Sequence, residues 1–95
     1  MEPSKKMDRL ESLRSQIEKV NGDILGLLNQ RIALSLQIAD IKKQQGVEFF
    51  DPAREKHMLD HLKEHNDGPL SAQMLEQIFR EIFHVSRTCM QKKFE

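Results

Sequence analysis

The stretch LESLRSQIEKVNGDILGLLNQRIALSLQIADI, residues 10–41, decides the fold. One series of its apolar residues falls at Leu10, Leu13, Ile17, Val20, Ile24 and Leu27, and again at Leu34, Ile38 and Ile41. Steps of three and four alternate, so one side of a helix carries an apolar seam. Between strands, Asn21-Gly22 would mark a tight turn. Here the period passes through it unbroken, so the helix continues, at a cost of about 1 kcal/mol each for Gly22 and Gly26. Pro3-Ser4 sit where a start belongs and Gly46 where a stop belongs. The spacing therefore predicts a first helix over about 5–44, roughly 60 Å long at ~1.5 Å per residue. The rest of the chain cannot cover such a rod alone, which calls for a partner chain.

Downstream, two shorter helices are predicted. Asp51 is a good N-cap and Pro52 suits the first helical position. Arg54, not Glu or Gln, stands three beyond the cap, so there is no capping box. Met58, Leu59 and Leu62 supply the buried stripe of a helix over about 51–65, and Asn66-Asp67-Gly68-Pro69 turns the chain. Ser71 caps a third helix over about 71–92, with Leu75, Ile78, Phe79, Ile82, Phe83 and Cys89 as its stripe. There is no repeat, low-complexity tract or linker. The expected architecture is all-α: one domain over 1–95, in which one long and two shorter helices form an intertwined dimeric bundle.

Composition bounds the function. Ninety-five residues allow one small core. Fifteen basic and fifteen acidic side chains cancel, which argues against nucleic acid as a partner. The single cysteine, Cys89, excludes an internal disulfide and points to a reducing compartment. The opening MEPSKKMDRL has no apolar leader core, and no apolar run approaches ~18 residues. The expectation is a soluble, cytoplasmic protein without a membrane partner.

Charges then stand where apolar residues belong. The step of four beyond Leu27 lands on Arg31, on the seam itself. Arg14 follows Leu13, Lys42 follows Ile41, and Ser86 lies one turn beyond Ile82 on the third stripe. A buried guanidinium is costly unless an anion meets it. Taken singly, each basic residue reads as a long side chain reaching a wet edge, and a helical Ser bonds its own backbone. Taken together, Arg14, Arg31, Lys42, Arg54 and Ser86 can line a pocket for a multiply anionic ligand, since Arg suits bidentate carboxylate recognition. A competing constellation is His57, His61 and His65 on helix two, with Asp60 and Glu64 beside them. It lacks the His-Glu-x-x-His form and a fourth ligand, so no metal and no other cofactor is expected. Cys89 reads as core packing.

The segments LRSQI (13–17), NQRIAL (29–34), IADIKK (38–43), FDPAREKHML (50–59) and IFREIF (78–83) resemble, in order and spacing, the all-helical class of chorismate mutase. The likeness covers essentially the full chain. The combination of FDPARE, NDGP and IFREIF is most similar to mutase domains fused to 3-deoxy-arabino-heptulosonate-7-phosphate synthases, which makes such a synthase a candidate partner. The resemblance implies a homodimer with two shared sites for chorismate. Arg31, Lys42, Asp51, Arg54, Glu55 and Ser86 would come from one chain and Arg14 from the other. Arg14 and Arg31 would fix the two carboxylates. Lys42 would donate to the ether oxygen, and Glu55 would accept from the ring hydroxyl. Asp51 would cap helix two and help shape the site, and Arg54 would bind a carboxylate or hold a pocket partner.

The implied chemistry, chorismate to prephenate, is an intramolecular rearrangement. It needs no nucleophile, metal or proton transfer, in keeping with the lack of a triad or carboxylate pair. One position departs from the family. Where a Gln or Glu usually follows the Ser86 position by four, this chain has Met90, and Gln91 comes next. Met cannot donate a hydrogen bond. The expected function is a chorismate mutase, weak or in need of a partner; the alternative is a domain that senses chorismate or prephenate for a synthase, and behind it, on fold analogy, an isochorismate–pyruvate lyase.

Overall fold

The computed structural model describes residues 2–95, with side chains from Lys5 onward. Three helices follow one another, α1 (Glu2–Gln45), α2 (Pro52–Glu64) and α3 (Ala72–Lys93), with no strand among the described residues. The backbone is already helical at Pro3-Ser4, ahead of the expected start near 5. The start signal read from those two side chains lies outside the described residues.

Local chemistry sets the ends. Gly46 has φ 67°, in the left-handed region. Its N–H donates to the Lys43 carbonyl at 3.3 Å, and the Val47 N–H reaches back to the Lys42 carbonyl at 2.9 Å. This pair of bonds is a Schellman motif, and glycine fits it because it has no Cβ to clash. The Asp51 carboxylate accepts from the Arg54 N–H at 3.0 Å at the start of α2, with Pro52 next to the cap. The Ser71 hydroxyl accepts from the Met74 N–H at 3.1 Å at the start of α3. Between them, Asn66 braces the turn: its amide donates to the Leu70 carbonyl at 2.6 Å, and its side-chain oxygen accepts from the Gly68 N–H at 3.2 Å.

The chain divides into two compact units, Met1–Arg31 and Ile32–Glu95. The first unit is the N-terminal part of α1. Its seam residues Leu10, Leu13, Ile17, Val20, Ile24 and Leu27 are 44–65% exposed. A lone helix gains little stability from propensity, so such a seam needs a covering surface.

The second unit has its core between α2 and α3. Leu59, Leu75 and Phe83 are buried together, with Met58, Leu62 and Phe79 packed against them. Lys63 on α2 and Glu76 on α3 form an ion pair at 2.6 Å across that contact. The end of α1 is tied to α3 by Asp40 and Lys93 at 2.7 Å. Ser35 and Ala39 are the buried residues of α1 among those described, whereas the seam residues Leu34, Ile38 and Ile41 stay half-exposed. Within the second unit, α1 therefore buries a face of small residues and leaves its apolar seam half-exposed. Two stripe assignments change: Ile78 is half-exposed, and Cys89 is partly buried rather than core. Both sit on α3, whose contribution to the core cluster is Leu75 and Phe83.

Candidate functional site

The helix stop fixes Lys42. Its carbonyl closes the Schellman motif, and its Nζ donates to the Phe49 carbonyl at 3.4 Å. Lys42, Lys43, Gly46, Val47, Glu48 and Phe49 line a cavity of about 270 Å³. Two ammonium groups and the Glu48 carboxylate give this lining a net charge of one positive unit. The loop is pinned from the other side by Phe94, whose ring lies 5.9 Å from that of Phe49 and carries Lys43 and Lys93 above it at 5.5 and 5.8 Å.

Asp51 and Arg54 are exposed at the start of α2, and Asp51 acts there as the cap. Glu55, one position on, turns inward. Its Oε2 accepts from Arg87 on α3, and both side chains are largely shielded from solvent. The Arg87 guanidinium also lies 4.7 Å from the centre of the Phe50 ring, a cation–π distance. Sequence reasoning did not find Arg87. It is 32 residues from Glu55, so no local spacing announces the pair.

Ser86 is buried on α3, and Met90, one turn later, is buried too. Gln91 is exposed. The thioether, and not the amide, therefore shares the Ser86 face. In the first unit, Arg14 is exposed and pairs with Glu11 at 3.0 Å, while Arg31 is partly buried. In the second unit Ser86 and Met90 are buried on α3, Glu55 is partly buried against Arg87, and Lys42 is partly buried beside the loop at the end of α1. Asp51 and Arg54 stand at the surface of that unit, and Arg14 and Arg31 belong to the other unit.

The histidine ladder makes its own contacts. His61 and His65 lie with ring centres 4.3 Å apart, and His65 Nδ1 is 2.9 Å from the His61 carbonyl. No group of three or more His, Cys, Asp or Glu among the described residues is placed to hold a metal ion. No helix among them is long and apolar enough to cross a membrane. The two shifted carboxylates lie outside the candidate set. A hydrogen bond from Lys63, then one from Arg80, holds Glu76 below the usual glutamate range. A hydrogen bond from Lys56 likewise lowers Asp60 from its ordinary value.

The profile of the chorismate mutase type II family matches residues 13–91. A bifunctional chorismate mutase/prephenate dehydratase of Stutzerimonas stutzeri is 34% identical over 80 residues, which cover 79% of this chain. The chain spans 22% of the length of that relative. Among solved structures, chorismate mutase (form II) of Thermus thermophilus is similar at TM-score 0.86 and 34% identity, over 87% of this chain and 94% of that one. The chorismate mutase of Helicobacter pylori in complex with prephenate is similar at TM-score 0.82 and 30% identity, over 87% and 90%.

Proposed function

Because the chain belongs to the chorismate mutase type II family, we propose that it rearranges chorismate to prephenate. The observation that carries this reading is the extent of the family match, which runs over 13–91 and so includes every basic and acidic residue of the candidate set from Arg14 to Ser86. The prephenate complex of the similar Helicobacter pylori mutase supports the same substrate class.

The reaction breaks an ether C–O bond and forms a C–C bond within one molecule. The protein must hold the compact conformer and stabilise charge that grows on the ether oxygen. In this reading Arg14 and Arg31 take the two carboxylates, and Lys42 donates to the ether oxygen and touches a carboxylate. Glu55 accepts from the ring hydroxyl. Ser86 lines the site, Asp51 holds the start of α2, and Arg54 meets a carboxylate or a pocket partner. The cation that matters most is Lys42, because it acts where charge develops.

The assembly proposed is a homodimer in which the uncovered seams of two α1 helices bury each other and Arg14 enters the partner's site. Support comes from the half-exposed apolar residues that run from Leu10 to Ile41. The cytoplasm is the proposed location, on the single cysteine. A 3-deoxy-arabino-heptulosonate-7-phosphate synthase is the proposed protein partner, on the FDPARE, NDGP and IFREIF segments. The buried thioether of Met90 favours a second role, in which the same site senses chorismate or prephenate for that synthase.

Mixing two inactive variants tests activity and shared sites at once. Arg14→Ala and Lys42→Ala should each lose most chorismate turnover. Their mixture should regain about a quarter of the wild-type rate, since half the dimers are mixed and each mixed dimer keeps one intact site. No activity in the wild type sinks the mutase reading. Full wild-type activity with no recovery on mixing sinks the shared site alone.

A further inference from the structure

The Glu55–Arg87–Phe50 cluster does more than join α2 to α3. Arg87 donates to Oε2 of Glu55, which leaves Oε1 as the second acceptor of the same carboxylate. The guanidinium plane is steadied by the Phe50 ring at 4.7 Å. Phe50 itself stands one residue before the cap Asp51, so the same turn that starts α2 also places the platform. Around the pair, Ser86 on α3 is buried next to Arg87 in sequence, and Met90 follows one turn on. Glu55 therefore has one oxygen committed and one to offer, and its side chain cannot rotate without breaking an ion pair largely shielded from water.

We propose that Arg87 is a positioning residue that locks the Glu55 carboxylate so that Oε1 meets the ring hydroxyl of the substrate. The inference rests on the reading that Glu55 binds that hydroxyl. Arg87 touches no reacting atom. It acts through Glu55, and Phe50 acts through Arg87. A charge-assisted hydrogen bond at fixed geometry is stronger than one to a carboxylate that must be ordered on binding, because the ordering cost has already been met. An ion pair that served only to hold the helices together would weaken all substrates alike. A positioning pair weakens only those that carry the hydroxyl.

That difference is the test. Wild type, Glu55→Gln, Arg87→Met and the double variant are assayed with chorismate and with an analogue in which hydrogen replaces the ring hydroxyl. Helical circular dichroism and gel filtration check that each variant is folded. Arg87→Met should lower kcat/KM for chorismate about tenfold, the scale of one hydrogen bond to a charged group. On the analogue it should change kcat/KM by less than about twofold, within the scatter of a distant surface change. The double variant should be no worse on chorismate than Glu55→Gln alone, and Arg87→Lys, which keeps the charge but not the planar fork, should recover part of the loss. If Arg87→Met does not fold, Phe50→Leu supplies the same comparison with a smaller loss in the same sense. Equal losses on both substrates, or additive losses in the double variant, would overturn the proposal while leaving the reading of Glu55 in place. If Glu55→Gln itself does not discriminate the two substrates, the reading of Glu55 falls first and the role of Arg87 falls with it.

Discussion

Replacing Met90 with Gln should speed the reaction without changing the fold. Position 90 lies one turn beyond Ser86, both are buried, and Gln91 is exposed to solvent. A thioether at 90 fills space but donates nothing to an ether oxygen that gains charge as its bond breaks. Gln has nearly the same length and adds an N–H donor. One neutral hydrogen bond contributes about 0.5–1.5 kcal/mol, so kcat should rise a few-fold to about tenfold. The substrate oxygen carries little charge before the transition state, so KM should stay nearly constant. The amide has a cost in the empty site. Met90 is only 6% exposed, and an amide buried there without a partner should lower stability by about 1–3 kcal/mol. Initial rates from the loss of chorismate absorbance give kcat and KM, and urea melts give the stability change. Gln91→Ala is the control and should do nothing. If Gln91→Ala abolishes turnover while Met90→Gln leaves it unchanged, the assignment of positions 86 and 90 to one working face is wrong.

Gly46→Ala should destabilise the protein by about 1 kcal/mol, because φ 67° is strained for any residue with a Cβ. An added Cβ there meets nothing within 4 Å, so a thermal melt reads backbone strain and not a clash. The pair that links Lys63 to Glu76 makes stability depend on acid. Glu76 titrates below its ordinary range when folded, so its contribution is whole above the unfolded value and is lost as pH falls through the folded one. Urea melts taken through the glutamate range should show that loss, and Glu76→Gln should flatten it. Ile17→Asp, at the middle of the uncovered seam, should halve the mass seen by sedimentation equilibrium and remove activity together. A variant that stays dimeric and active would place the dimer contact elsewhere.

Much of the fold was legible in the chain because its ends are chemically marked. Asp51 before Pro52, Ser71 before α3, and Gly46 after α1 each satisfy backbone groups that a helix leaves unpaired. The core residues Leu59, Leu75 and Phe83 lie on the predicted stripes. The inner face of α1 was not legible. Ser35 and Ala39 carry too little apolar surface to register in a hydrophobic pattern, yet small size is what lets a helix be approached closely. The seam that does register is made of half-exposed residues. In the candidate site, Lys42 was marked by its place beside the seam, and Glu55 was named only through the resemblance of the FDPARE segment. Arg87 could not be named, because the ion pair joins two helices across a turn and depends on their relative rotation. Cys89 was misplaced for a related reason, since a stripe only about 100° wide leaves flanking positions half covered.

The most direct measurement is the initial rate at which the purified chain turns chorismate into prephenate, compared with that of Lys42→Ala at equal concentration. Lys42 lines the cavity beside the Schellman turn, whose bonds are made by the backbone, so removing its side chain should leave the helices intact. Loss of a donor aimed at developing charge costs about 3 kcal/mol, or more than a hundredfold in rate. Rapid prephenate formation by the wild type, with a loss of that size in a folded Lys42→Ala variant, is the predicted result. A folded, dimeric wild type that forms no prephenate, or a Lys42→Ala variant as fast as its parent, would contradict the account.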